Sequence, residues 1–388
     1  MQRHYSAMAL ATLTGALLDD DDVYKTLSPS LLGALLLLLA YWLRYRRRPA
    51  RCEAPLPAGG AYIELAHGRC HYIVEGHRNS GPLVVLVHGF VGSSSYMRFL
   101  AAELETRRVL RFDLWGRGWS DHPDAPHTAA LFAAQLSSLL FALGEAGPID
   151  LVGYSMGGCV VAKFAACHAA RLRSLVLLAP AGTRGMPAVL RNLLPLIARL
   201  PLLPEVLAPL KFCSAAQFEA GERGEWQDPD GAPHWRAFLA EELRRLRDEP
   251  GLAAAALNSA RNFELGGCEG YLATVGAFRR RGAGSGAVAG AAAAGAGGAG
   301  GAGGGGGEGG TEGGGEGGER LPVLVAWGAR DRACPVAGLV RVRALVPHAE
   351  VWLEPEAGHA LPIERFAETA ARLSEFWEAC ESGRWFRS

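Results

Sequence analysis

Ser155 stands in Gly153-Tyr154-Ser155-Met156-Gly157, directly after the apolar run IDLV and directly before GGCVVAKFAACHAA, which has a helical pattern. A serine between two glycines at a strand-to-helix turn is held in a strained backbone conformation with its hydroxyl exposed above the sheet. Gly153 and Gly157 are needed because a Cβ at either place would meet neighbouring backbone. The helix that starts after Ser155 aims its first amides at the same point, where they favour negative charge. A hydroxyl attacks only if a base takes its proton, and that base needs an acid to orient it. With this turn the partners follow in the chain order Ser, Asp, His. Asp331 lies in WGARDRACP, just past the run LPVLVAWG. Of 11 histidines, only His359, in EAGHALPIE, follows the last strand by a short loop and precedes the last helix. The expected set is therefore Ser155 as nucleophile, His359 as general base and Asp331 as its orienting partner. A tetrahedral oxyanion would be met by backbone amides. The tight turn at Gly89, in His88-Gly89-Phe90, presents the amide of Phe90, and the amide of Met156 follows the nucleophile; His88, fixed at a strand end, is expected to be structural.

These residues need a scaffold that brings strand ends to one edge. From Ala61 onward, short β-branched runs occur at 62–65, 71–75, 83–88, 109–113, 150–155 and 174–180, the later ones separated by helix-length segments. That alternation predicts an α/β fold, a mostly parallel central sheet flanked by helices. The first two runs, close together and alternating, predict an antiparallel hairpin at the sheet's edge. From Gly182 to about Gly282 the pattern is helical, and strands resume at 321–328 and 349–354, so a helical lid is expected after the sixth strand.

With these motifs in place, the chain from about Ala61 to Arg384 resembles the α/β-hydrolase superfamily: HGF at 88–90, DLWGRGWSD at 113–121, GYSMGG at 153–158, WGARD at 327–331 and GH at 358–359 occur in the family's order. The resemblance implies a Ser, Asp, His hydrolase with a lid after the sixth strand. Serine at 155 argues against the branches that place an aspartate there, the haloalkane dehalogenases and epoxide hydrolases. It also implies that DLWGRGWSD shapes the loop beside the site, so Asp113 and Asp121 are read as structural.

Ahead of this domain, residues 27–45 hold the apolar run Leu31 to Leu43, followed by Arg44, Arg46, Arg47 and Arg48. This predicts a membrane anchor near the lower length limit of a span, after an N-terminal segment 1–26. The arginines, weighed against Lys25, put the rest of the chain on the cytoplasmic side. The arrangement resembles that of membrane-bound monoacylglycerol lipases. Within the expected lid and connecting helices, 183–281, the leucine-rich stretch Pro187 to Phe212 is an amphipathic surface suited to an acyl tunnel or a membrane. Residues 282–319 are almost wholly Gly and Ala with four glutamates, a composition that cannot bury a core and predicts disorder. The hydrolase core thus falls into 61–182 and 320–384.

The chain's 388 residues, 49% hydrophobic and 20% charged, are those of a globular protein, which excludes a wholly disordered or collagen-like chain. Its 39 basic and 39 acidic side chains leave no surplus for neutralising phosphates, so no nucleic-acid partner is expected. The eight cysteines form no CxxC pair and no Cys/His ligand spacing, so neither a metal site nor a disulfide framework is read. The expected activity is hydrolysis of a lipophilic, monoacylglycerol-like carboxylic ester through an acyl-enzyme, with membrane lipid as partner and no cofactor. The same three residues also fit a carbon–carbon bond hydrolase of a diketone-type substrate or an acyltransferase. A non-catalytic binding protein would show the loss of one of them, and none is missing.

Overall fold

The computed structural model describes residues 55–76, 81–183, 215–248, 251–280 and 318–385. The expected N-terminal segment 1–26, the anchor 27–45, the amphipathic stretch Pro187 to Phe212 and nearly all of the Gly/Ala-rich insert lie outside them. Among the described residues no helix is long and apolar enough to cross a membrane.

Eight strands form one sheet: β1 (Gly60–Leu65), β2 (Gly68–Glu75), β3 (Leu83–Val87), β4 (Arg108–Phe112), β5 (Ile149–Tyr154), β6 (Leu172–Leu178), β7 (Val323–Gly328) and β8 (Glu350–Glu354). Their order across the sheet is β1-β2-β4-β3-β5-β6-β7-β8. β1 and β2 form the expected antiparallel hairpin and β2 meets β4 antiparallel, while every pair from β4 to β8 is parallel. The central strands β3, β5 and β7 are buried at every position, because helices cover both faces; their sequences are apolar apart from Asp150 in β5, whose carboxylate accepts from Arg173 and Ser174. The edge strand β8 is half exposed.

The described helices are α1 (Arg98–Glu103), α2 (Ala129–Ala142), α3 (Met156–His168), α4 (Ala215–Glu225), α5 (Trp235–Asp248), α6 (Leu252–Asn262), α7 (Cys268–Ala277), α8 (Ala337–Leu345), α9 (Leu361–Glu364) and α10 (Phe366–Glu381). Alternate strand residues feed two cores, as the pleat requires. Val85, Val87, Leu151, Leu175, Leu177, Val323 and Val325 pack with α2, α3, α7 and α8, while Val84, Leu86, Val152, Val176, Leu178, Leu324 and Ala326 pack with α1 and α10. α5 adds Trp235 and Phe238 to the second core, and Trp226, the residue after α4, joins them. Helices α4 to α7 come between β6 and β7 in the chain. They are not one layer, since α7 places Leu272 and Val275 in the first core.

Of the stretch 282–319, Gly318 and Glu319 are described, and Glu319 pairs with Arg280 in an isolated antiparallel bridge. The Arg280 amide donates to Glu319 O at 2.8 Å. That bridge lies before the first residue of β7, whereas Asp331 lies beyond its last.

Candidate active site

β5 ends at Tyr154 and α3 begins at Met156, so Ser155 alone makes the turn, with φ 53° and ψ −120°. An L-residue at positive φ is strained, and neighbouring structure must hold it there. The Ser155 amide donates to Leu178 O at 2.9 Å, and its carbonyl accepts from the amides of Gly158 and Ala181, each at 2.9 Å. The flanking glycines are dictated by crowding: a Cβ on Gly153 would stand 2.5 Å from Gly157 O, and one on Gly157 would stand 2.4 Å from Val87 O.

Asp331 and His359 come to this turn from beyond the ends of β7 and β8. His359 Nε2 is 3.0 Å from Ser155 Oγ, and His359 Nδ1 is 2.7 Å from Asp331 Oδ2. The other carboxylate oxygen, Oδ1, accepts from the amides of Ala333 at 2.9 Å and Cys334 at 2.7 Å. With Asp331 accepting the Nδ1 proton, neutral His359 keeps its Nε2 lone pair for the serine hydroxyl. Burial acts most strongly on His359 and lowers its pKa. The Asp331 hydrogen bond and the charges of Asp331 and Glu225 outweigh it, so the net shift is upward from 6.5. The Tyr154 ring lies against the imidazole with centroids 5.2 Å apart. Ser155 is 9% exposed, His359 3% and Asp331 8%, so the three sit in a nearly dry environment in which charge–dipole interactions are strengthened.

The turn after β3 stands beside the serine: a Cβ on Gly89 would lie 3.2 Å from Ser155 Cβ. His88 is fully buried and shapes this turn. The Leu114 amide donates to its Nε2 at 3.0 Å, so the ring proton is on Nδ1, which donates to Gly89 O at 2.9 Å. Burial pushes the His88 pKa down to about 4, so the ring is neutral. Because a peptide is planar and trans, fixing Gly89 O points the Phe90 N–H the opposite way. Two arginines hold the next carbonyls: Arg117 Nε donates to Phe90 O at 2.7 Å, and Arg245 Nη2 to Val91 O at 2.9 Å. Met156 is the first residue of α3, so its N–H has no acceptor within the helix. Neither the Phe90 amide nor the Met156 amide donates to a backbone acceptor among the described residues.

The two acids of the DLWGRGWSD loop are occupied elsewhere. Asp113 accepts from the Ser94 amide at 2.6 Å, the Trp119 amide at 2.9 Å and His71 Nδ1 at 2.7 Å. Asp121 accepts from the Arg69 amide at 2.8 Å and Arg69 Nη2 at 3.1 Å. Both carboxylates hold the DLWGRGWSD loop to β2.

Several residues around the site were not legible as such. Arg117 and Arg245 hold the turn at Phe90, and Glu242 fixes Arg245 by accepting from its Nε at 2.7 Å and from Ser95 Oγ at 2.6 Å. Glu364 accepts from the amide of Gly358, next to His359, at 2.9 Å. Only the place of Arg117 within GRGWSD gave any signal; the others look like ordinary helical charges. Among the described residues no group of three or more His, Cys, Asp and Glu side chains is placed to hold a metal ion. All six described cysteines are free thiols.

The family model described as alpha/beta hydrolase fold matches residues 82–205. An uncharacterized protein of Mycobacterium tuberculosis is 33% identical over 344 residues, 86% of this chain and 86% of that protein. Lipase 1 of Psychrobacter immobilis is 32% identical over 133 residues, 34% of this chain and 42% of that enzyme. Among solved structures, a bacterial membrane phospholipase A superposes with a TM-score of 0.58 at 20% identity, covering 98% of this chain and 99% of that one. The sheet order, the strained turn at Ser155 and these likenesses agree, and the chain belongs to the α/β-hydrolase superfamily.

Proposed function

We propose that the protein is a serine hydrolase that cleaves lipophilic carboxylic esters of the monoacylglycerol kind through an acyl-enzyme. The observation that carries this reading is the unbroken line from Ser155 Oγ to His359 Nε2 at 3.0 Å and from His359 Nδ1 to Asp331 Oδ2 at 2.7 Å, set at a turn of positive φ. Ser155 Oγ attacks the ester carbonyl as its proton passes to His359 Nε2. The imidazolium that forms is stabilised by Asp331, and the oxyanion is met by the amides of Phe90 and Met156. Collapse expels the alcohol, which leaves with the proton from His359. Water then gives a proton to His359 and attacks the acyl carbonyl, and Ser155 Oγ regains that proton as the acid departs.

The lipid side of the reading is supported by the likeness to a lipase and to a membrane phospholipase, and by the apolar run Leu31 to Leu43 with its following arginines. In this reading the anchor 27–45 holds the domain at the cytoplasmic face of a membrane, where such esters partition.

The test is fluorophosphonate labelling of the full chain and of Ser155→Ala, with hydrolysis of short- and long-chain esters in the presence and absence of phosphatidylcholine vesicles. Expected are labelling that depends on Ser155, loss of at least about 10³-fold in turnover in the variant, and faster turnover of long acyl chains on vesicles. Labelling without ester turnover would overturn the ester assignment, and no labelling of the folded chain would overturn the serine mechanism.

A further inference from the structure

The loop that carries His359 is tied to the helical insert on both sides of the histidine. The amide before it, Gly358 N, donates to Glu364 Oε2 at 2.9 Å. The other oxygen of the same carboxylate, Oε1, accepts from the amides of Gln227 at 2.8 Å and Asp228 at 3.0 Å, just past the end of α4. The amide after the histidine, Ala360 N, donates to Glu225 O at 3.1 Å. The contact is close as well as polar, for a Cβ on Gly358 would stand 2.4 Å from Glu225 O and 3.0 Å from Gln227 N. Glu364 is buried, and all three donors are backbone N–H groups, so both carboxylate oxygens act as acceptors.

We infer that Glu364 is a positioning residue: by clamping the His359 loop to residues 225–228 of the helical insert, it sets the imidazole against Ser155. The inference rests on the proposed role of His359 as general base. The amides of Gly358 and Ala360 flank the histidine, so withdrawal of the insert end removes the acceptor of Ala360 N and the two donors that hold Glu364 in place against Gly358 N. The imidazole is then free to move relative to Ser155 Oγ, and a misplacement of about 1 Å in such a pair costs about 10²-fold in rate. The insert is by this route part of the site's alignment.

Glu364→Gln tests the clamp with little change of volume. A carboxamide offers one oxygen where the carboxylate offers two, so its NH₂ must face an N–H on one side or the other. The full chain and the variant are compared by kcat and KM for a short soluble ester, with active sites counted by end-point fluorophosphonate labelling. Expected is a loss of about tenfold or more in kcat per labelled site with KM within about threefold. A side chain that served stability alone would reduce the number of labelled sites and leave kcat per site unchanged, and that result would overturn the inference. Glu356→Gln, a change in an exposed acid of the same loop that pairs with Arg330, should leave kcat within about twofold; an equal loss there would also overturn it. Should Glu364→Gln fail to fold, Gly358→Ala presses on the same contact from the other side, and an unchanged kcat per site in that folded variant would count against the clamp. Absence of Ser155-dependent labelling in the unaltered chain would remove the hydrolase reading itself, whereas normal labelling with unaffected variants would remove only the role of Glu364.

Discussion

The molecule holds two buried histidine–aspartate pairs with one geometry and different surroundings. His359 Nδ1 and Asp331 Oδ2 are 2.7 Å apart, and so are His71 Nδ1 and Asp113 Oδ2. Each aspartate also accepts from two backbone amides, Ala333 and Cys334 in one case and Ser94 and Trp119 in the other. The difference lies at the far ring nitrogen. His359 Nε2 faces the Ser155 hydroxyl, whereas His71 Nε2 is buried without a partner among the described residues. It abuts β1, where a Cβ on Gly60 would stand 2.6 Å from that nitrogen. A dyad is therefore no sign of chemistry by itself; what distinguishes the two is a hydroxyl at the second nitrogen and free amides beside it.

The largest predicted effect separates the two pairs directly. Asp331→Asn puts an amide where the His359 Nδ1 proton must be accepted, and turnover per labelled site is expected to fall by about 10³- to 10⁴-fold in ester assays. Asp113→Asn should leave turnover per site within about threefold, because the carboxylate's partners are His71, Ser94 and Trp119 and not Ser155, His359 or Asp331. Its cost should appear as stability, about 3 kcal/mol for a buried, amide-bonded carboxylate. At about 2–4 °C per kcal/mol this is a clear drop in Tm. Comparable loss of per-site turnover in both variants would break the distinction between the pairs.

How far this distinction was legible in the sequence depends on where the partners lie along the chain. The eight strands were readable because the parallel strands are short runs rich in Val, Leu and Ile separated by helix-length segments and the edge hairpin alternates. Ser155, Asp331 and His359 were readable because each is placed by its distance from a strand end. His88 was expected to be structural, and its two hydrogen bonds give that expectation a physical form, an orientation of the Phe90 peptide. The clamp at Glu364 was not legible, since its partners Gln227 and Asp228 lie more than 130 residues away and on backbone atoms that carry no sequence mark. The pairing of His71 with Asp113 was hidden for a similar reason: antiparallel registry between β2 and β4 creates it, and registry across strands is not written in either strand alone.

A smaller effect sharpens the comparison through pH. The His359 pKa is raised above 6.5 because the Asp331 hydrogen bond and the charges of Asp331 and Glu225 outweigh burial. In the proposed mechanism His359 is the general base and must be neutral, so kcat/KM should rise with pH through a midpoint above 6.5. In Asp331→Asn the opposing influence of burial is left more exposed, and the residual activity should show a midpoint below that of the unaltered chain. The stability contribution of the pair runs the other way. A histidine whose folded pKa is raised contributes fully below its unfolded pKa of about 6.5, and that contribution is lost as pH rises through the folded value. A pH–rate profile with its acid limb at or below 6.5 would contradict the asymmetry assigned to His359.

The smallest predicted effect asks whether the difference between the pairs is local to one edge of the sheet. Arg280 and Glu319 already meet in an antiparallel bridge, so removing residues 282–317 and joining the ends with a short Gly/Ser linker requires no displacement of β7. The junction lies before β7 begins, while Asp331 follows the strand's other end and Ser155, His359 and Phe90 are gathered there with it. Sites far apart with no shared partner act almost independently. The deletion should therefore leave kcat per labelled site and KM for a soluble ester within about twofold. Tm should not fall, because a shorter loop costs less closure entropy, by about 0.6 kcal/mol for each halving of its length. A large loss of per-site turnover in the folded deletion variant would mean that the far end of the sheet takes part in aligning His359 with Ser155, and the contrast between the two pairs would then be a property of the whole domain and not of one strand edge.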